Sequence, residues 1–259
     1  MSQAINHIND TDKWLPVRPG GDASVRLFCL PFAGGGPGMF KQWPGHLAAF
    51  APDVQLCPIA LPGREKRLAE PLIREMSELT DILADLLSPF LDRPFILYGH
   101  CFGGSVAFDL VLKLQKRNHP PVLLAVSGSR APHLPAPATI SSLPRDDFAA
   151  ALRAFSLTPD EVLNIPELLE LFIPLLRADF FLDESYRYTG PRPGLSCPVL
   201  AMYGRRDAVI SPDLVLPWRE YSSSGVTLSE FEGGHVFFAD DPTPMLRAIV
   251  NQMSNETAS

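Results

Sequence analysis

Six short apolar runs alternate with longer stretches of helical period, and that alternation narrows the folds open to this chain more than any other feature. The runs are Val25–Leu30, 54–59, 95–98, 122–127, 199–203 and 227–231; helical patterns lie at 73–91, 102–116 and 244–253. Strand and helix in alternation predict an α/β architecture, a mostly parallel sheet whose crossover helices cover its faces. Between 128 and 195 the alternation stops. That interval offers Pro-rich turns and amphipathic pieces at 146–155 and 166–181, where Leu168, Leu169, Phe172, Leu175, Leu176, Phe180 and Phe181 recur at helical spacing. The expectation is a single domain over residues 1–259 with a helical insertion at 129–194, part of whose apolar face packs and part of which walls a substrate pocket.

One strand-to-helix junction carries chemistry. Tyr98-Gly99-His100-Cys101-Phe102-Gly103-Gly104 reads G-x-C-x-G, a sharp turn that pushes its central side chain into a strained, exposed position. The glycines let the two backbones pass without a Cβ clash. A nucleophile so placed points to covalent acyl chemistry, and it needs a base that is itself oriented by a carboxylate. In chain order the acid follows the nucleophile and the histidine comes last. Asp207 comes just after the run 199–203, in Gly204-Arg205-Arg206-Asp207, and His235 just after 227–231, in Glu232-Gly233-Gly234-His235. Both therefore fall at the carboxyl edge of the sheet, where the elbow opens.

Other candidates for these roles are weaker. Asp213 rivals Asp207; His7, His46, His119 and His133 lie in polar, surface-like or Pro-rich segments; Asp240 and Asp241 read as caps of the last helix. His100 is expected to point away from Cys101. An oxyanion hole needs two backbone N–H groups, one from Phe102 and one from the loop Pro31-Phe32-Ala33-Gly34-Gly35-Gly36, where Ala33 is the best candidate. Those glycines are not a phosphate loop, because neither G-x-x-x-x-G-K-[ST] nor G-x-G-x-x-G is present.

Composition excludes several classes. A net charge of −7 without a basic stripe argues against nucleic acid, and the segment 166–182 is too short and too charged to span a membrane. Residues 1–13 are polar and show no export signal, so a cytoplasmic protein is expected. Cys29, Cys57 and Cys197 then read as buried thiols rather than disulfide or zinc partners.

The segments Leu30-Pro31-Phe32-Ala33-Gly34-Gly35, Leu61-Pro62-Gly63-Arg64-Glu65 with Arg67, the elbow, Gly204-Arg205-Arg206-Asp207 and Gly233-Gly234-His235-Val236-Phe237-Phe238 together resemble the type II thioesterases that accompany nonribosomal peptide and polyketide synthases. They span residues 27–238 in family order, and L-P-G-R-E is more specific than the elbow. The resemblance implies an α/β-hydrolase fold with a helical lid inserted before the acid. It also implies a substrate held as a thioester on the phosphopantetheine arm of a carrier protein, with no metal and no cofactor bound by the chain itself. Arg64, Lys66, Arg67 and Arg130 are the basic residues that could meet the carrier; Arg64 could instead pair with Glu65 or another carboxylate.

Cys101 departs from the family's usual pattern, in which members normally carry serine there. Serine converts a thioester into a more stable oxygen ester, so return to a thiol is uphill. Cysteine keeps a thioester, close to thermoneutral with its donor, and His235 can hold a thiolate–imidazolium pair. This favours transfer of an acyl or aminoacyl group between carriers, as in shuttle-like members of the family. Hydrolytic editing of misloaded carriers is the alternative, since cysteine hydrolases exist; a replaced serine that traps the acyl-enzyme would read the same way. Outside enzymes of carriers stand a lactone-type cysteine hydrolase and a non-catalytic carrier-binding module.

Overall fold

The computed structural model describes residues 11–257 apart from 156, 157 and 159. Its strands are β1 (Val25–Leu30), β2 (Val54–Pro58), β3 (Phe95–His100), β4 (Leu123–Ser127), β5 (Val199–Gly204) and β6 (Val226–Phe231). They form one sheet in the order β2-β1-β3-β4-β5-β6, and every neighbouring pair is parallel. The runs read from sequence are these strands, shifted by a residue or two at some ends. The mostly parallel sheet flanked by helices is thereby borne out.

The helices are α1 (Thr11–Trp14), α2 (Trp43–Ala48), α3 (Met76–Leu87), α4 (Phe102–Lys116), α5 (Arg145–Phe155), α6 (Asp160–Asn164), α7 (Pro166–Ser185), α8 (Pro212–Val215) and α9 (Thr243–Thr257). Strand side chains alternate between two cores, as a two-residue repeat requires. Phe28, Leu30 and Leu97 join Leu83 of α3 and Val106 and Phe108 of α4 on one face. Leu27, Cys29, Ile96 and Tyr98 join Trp43 and Leu47 of α2 and Leu246 and Ile249 of α9 on the other. With both faces covered, the central strands read as continuous apolar runs.

The predicted helix at 73–91 is shorter than its pattern. It begins at Met76, because Glu75 is extended, and gives way to a 3-10 turn at Ser88–Phe90. Pro89 has no N–H with which to continue the α-helical ladder. The short α6 had no distinct signal in the sequence.

The chain leaves β1 toward β2 on one side, and β3 later pairs with β1 on the other. A crevice opens at the carboxyl ends of strands where the order reverses in this way. The loop after β1 and the turn after β3 both lie there. Helices α5, α6 and α7 lie between β4 and β5, and α7 contains Pro174, which cannot donate to the carbonyl of Glu170. Among the described residues no helix is long and apolar enough to cross a membrane.

Candidate active site

Cys101 stands between the end of β3 and the first turn of α4 with φ 53° and ψ −117°. That backbone conformation is sparsely populated by any residue with a Cβ and costs on the order of 1–3 kcal/mol. Neighbouring structure enforces it. The Cys101 N–H donates to Ser127 O at 2.9 Å, and Gly104 N–H donates to Cys101 O at 2.9 Å. A Cβ on Gly103 would lie 2.5 Å from Leu30 O, and one on Gly99 would lie 2.1 Å from Gly103 O. The turn is therefore packed too tightly for side chains at either glycine. Cys101 is partly exposed, whereas Cys29, Cys57 and Cys197 are buried; burial pushes the Cys29 thiol well above its ordinary pKa and the other two up to about 12.

The structure brings Asp207 and His235 together at the same edge. His235 Nδ1 lies 2.7 Å from Asp207 Oδ2. Asp207 Oδ1 accepts the N–H groups of Val209 at 2.8 Å and Ile210 at 2.9 Å, so the carboxylate is fixed before it meets the imidazole. Among the described residues no group meets hydrogen-bond geometry at the buried Nε2 of His235, while the Cys101 thiol is close enough to couple electrically to the ring. Burial opposes a charge on His235. The neighbouring Cys101 sulfur and the Asp207 carboxylate outweigh that burial and raise the imidazole pKa above its ordinary value.

His100 sits behind this pair. Its ring centroid is 4.9 Å from that of His235, and its Nδ1 lies 2.9 Å from Ser127 Oγ, which lies 2.7 Å from Tyr98 Oη. Burial, reinforced by the neighbouring His235, holds its pKa well below the ordinary value, so His100 is a neutral wall against the base. Sequence reasoning placed it away from Cys101 and gave no hint of this contact.

Phe102 opens α4, where the first N–H groups have no intrahelical acceptor. In the loop after β1, Gly35 N–H donates to Phe32 O at 2.9 Å and Gly34 N–H donates to Asp179 Oδ2 at 2.7 Å. Neither is then open to a substrate, and Ala33, next in line, is buried at the loop apex. A cavity of about 250 Å³ lies over this loop, bounded by Phe32, Ala33 and Gly34, by Met39, and by Val162, Phe172 and Leu176 of the inserted helices. A second of about 350 Å³ is lined by Phe32, Met39, Trp43, Val236 and Phe238 beside the His235 loop. A larger one of about 510 Å³, lined by Val17, Phe40, Leu47 and Leu56, lies along β2 and holds none of the acyl-transfer candidates.

The sequence and the fold have counterparts among known proteins. The thioesterase domain family matches residues 25–253. The chain belongs to the thioesterase family. It is 33% identical to the gramicidin S biosynthesis protein GrsT of Aneurinibacillus migulanus, over 96% of this chain and 97% of that one. Thioesterase PikA5 of Streptomyces venezuelae is 34% identical over 89% of this chain and 82% of its own length. Among solved structures, the type II thioesterase BorB from the borrelidin biosynthetic cluster superposes with a TM-score of 0.82 at 30% identity, over 93% of this chain and 98% of its own. The α/β-hydrolase fold expected from the resemblance is the fold of these thioesterases.

Within this thioesterase, three of the four arginine and lysine candidates for carrier contact are corrected. Arg64, Arg67 and Arg130 are each only 4% exposed, and their guanidinium groups pair with Asp179, Glu70 and Asp183. Their charges are consumed inside the protein; Lys66 alone of the four is exposed. The signal for this was present but faint. Arg64 follows a Pro-Gly turn in an apolar stretch, and Asp179 is a carboxylate set among the apolar residues of α7. Along that face Leu169, Leu175, Leu176 and Phe180 are buried, whereas Phe181 points outward.

The other candidates lie elsewhere in the structure. Asp213 is exposed, and Asp241 Oδ1 accepts the N–H of Thr243 at the start of α9. His119 is exposed, His46 Nδ1 lies 2.8 Å from Thr243 Oγ1, and His133 Nδ1 lies 2.7 Å from Tyr221 Oη. His7 lies outside the described residues. Among the described residues no cluster of His, Cys, Asp and Glu is arranged to hold a metal.

Proposed function

We propose that this thioesterase takes an acyl or aminoacyl group from the phosphopantetheine thioester of a carrier protein onto Cys101 and passes it to a second carrier thiol. The observation that carries the reading is sulfur at the elbow of a thioesterase. His235, oriented by Asp207, removes the Cys101 proton, and the thiolate attacks the thioester carbonyl. The backbone N–H groups of Phe102 and Ala33 hold the oxyanion, and the donor phosphopantetheine thiol leaves with the proton from His235. A second carrier thiol then enters with His235 as base. The stored intermediate is a thioester like its donor, so the return step meets no large uphill gap. No metal or diffusible cofactor takes part; the pantetheine arm belongs to the carrier.

In this reading residues 129–194 form the lid, and the cavity between the β1 loop and α7 receives the acyl chain. Hydrolytic editing is the second reading, favoured by relatives that are named as type II thioesterases. The two separate in one experiment. The protein is loaded from an acyl-carrier, the acyl-enzyme is isolated, and either buffer or a second holo-carrier is added. Transfer predicts a stable acyl-enzyme in buffer that is discharged by the holo-carrier; rapid loss in buffer alone assigns the protein to editing. Cys101→Ser should load but transfer poorly. A carrier-binding module would keep its function in Cys101→Ala.

A further inference from the structure

The L-P-G-R-E segment and α7 meet at the loop after β1 in a way that the proposed chemistry does not itself require. Arg64 donates to both carboxylate oxygens of Asp179, Nη1 to Oδ2 at 2.8 Å and Nη2 to Oδ1 at 3.0 Å. The same Nη1 donates to Gly35 O at 3.1 Å, and Nε donates to Pro62 O at 3.2 Å. Asp179 Oδ2 also accepts the Gly34 N–H at 2.7 Å. One residue further along the motif, Glu65 Oε1 accepts the Gly38 N–H at 2.8 Å. The loop is thus gripped on a donor and on an acceptor by one buried, fork-shaped ion pair.

Helix α7 also touches the loop directly. Gly34 has φ 78°, and a Cβ there would lie 2.4 Å from Leu176 Cδ2, one turn before Asp179. The helix that walls the cavity and the ion pair that fixes the loop are therefore one rigid unit. A buried ion pair is a poor way to add stability, because desolvation cancels most of the attraction. A planar, bidentate pair is a good way to fix direction. Asp179 takes the Gly34 N–H out of use, as Phe32 O takes that of Gly35, which leaves the neighbouring Ala33 peptide as the donor to consider.

We infer that Asp179 and Arg64 are positioning residues that hold the Ala33 peptide in place to stabilise the oxyanion formed when Cys101 attacks a thioester. This rests on the acyl-transfer reading above. The role belongs to one step: attack on a carbonyl builds an oxyanion, whereas alkylation of the same thiol does not. Iodoacetamide forms the S–C bond as iodide departs, with no charge placed on oxygen.

The test compares two reactions of Cys101 in the full chain, acylation by the N-acetylcysteamine thioester of hexanoic acid and alkylation by iodoacetamide. Asp179→Asn should slow acylation by roughly 10- to 100-fold, the scale of a weakened oxyanion donor, with the loss in the acylation rate constant rather than in the thioester concentration at half-saturation. Alkylation should stay within about twofold. Arg64→Lys keeps the charge and loses the fork, so it should show the same selective loss at smaller size; it also decides the matter if Asp179→Asn does not fold. Unchanged acylation, or a parallel fall in both reactions, overturns the inference. Failure of the unaltered protein to be acylated by the thioester would instead sink the acyl-transfer reading.

Discussion

His235 is buried, which opposes its protonated form, and is flanked by the Cys101 sulfur and the Asp207 carboxylate, which favour it. Its raised pKa means that the pairing stabilises the fold fully below the unfolded value near 6.5 and that this contribution is lost as pH rises through the folded value. Removing the sulfur removes the first favourable partner. Cys101→Ala should therefore lower the His235 pKa, measured by NMR titration of its Cε1–H, and an unchanged titration would break the assigned coupling. Asp207→Asn keeps the shape but loses the orienting charge, and acylation should fall by roughly 10³- to 10⁴-fold in a stopped-flow assay. These residues were legible because each follows a strand by a few positions. Arg64 was not, since its carboxylate lies 115 residues away and only folding brings the two together.

Helix α7 is fastened along its second half. Asp183 Oδ1 accepts from Ser105 Oγ at 2.7 Å, tying it to the helix behind the elbow, and Asp183 also takes the Arg130 guanidinium. Glu184 Oε1 accepts the N–H groups of Ile140 at 2.7 Å and Ser141 at 3.0 Å. Asp183→Ala would leave Arg130 charged, buried and unpaired, and should cost about 3 kcal/mol in urea unfolding. Arg145→Ala, which removes an exposed pair with Glu170, should hardly move the midpoint. A destabilisation of equal size in both would contradict the burial argument. The apolar period placed α7 well, because a helix that buries a broad face advertises it. Its fastenings are polar, long-range and invisible to period.

The molecule as a whole is organised by the reversal of strand order at β1 and β3, which puts the elbow and the loop after β1 at one crevice. Apolar runs announced the strands but not their order; the order comes from which helix covers which face. Cys101, Asp207 and His235 lie in turns and loops at that edge, held by a sheet whose two cores leave it little freedom. The inserted helices differ in this respect. Before Pro174, α7 exposes Leu171 at 49%, and Ile165, just ahead of it, is 44% exposed; after it come Asp179, Asp183 and Glu184 with their partners. One continuous helix thus joins a segment held by apolar contacts such as Leu169 and Ile173 to one also held by buried polar partners, with an unmade backbone bond between them. Local opening should be cheap on one side and close to global unfolding on the other. Amide deuterium uptake followed by mass spectrometry should divide this helix in two, fast in peptides covering 160–173 and slow in 175–185. Equal protection along its whole length would mean that proline marks no boundary here.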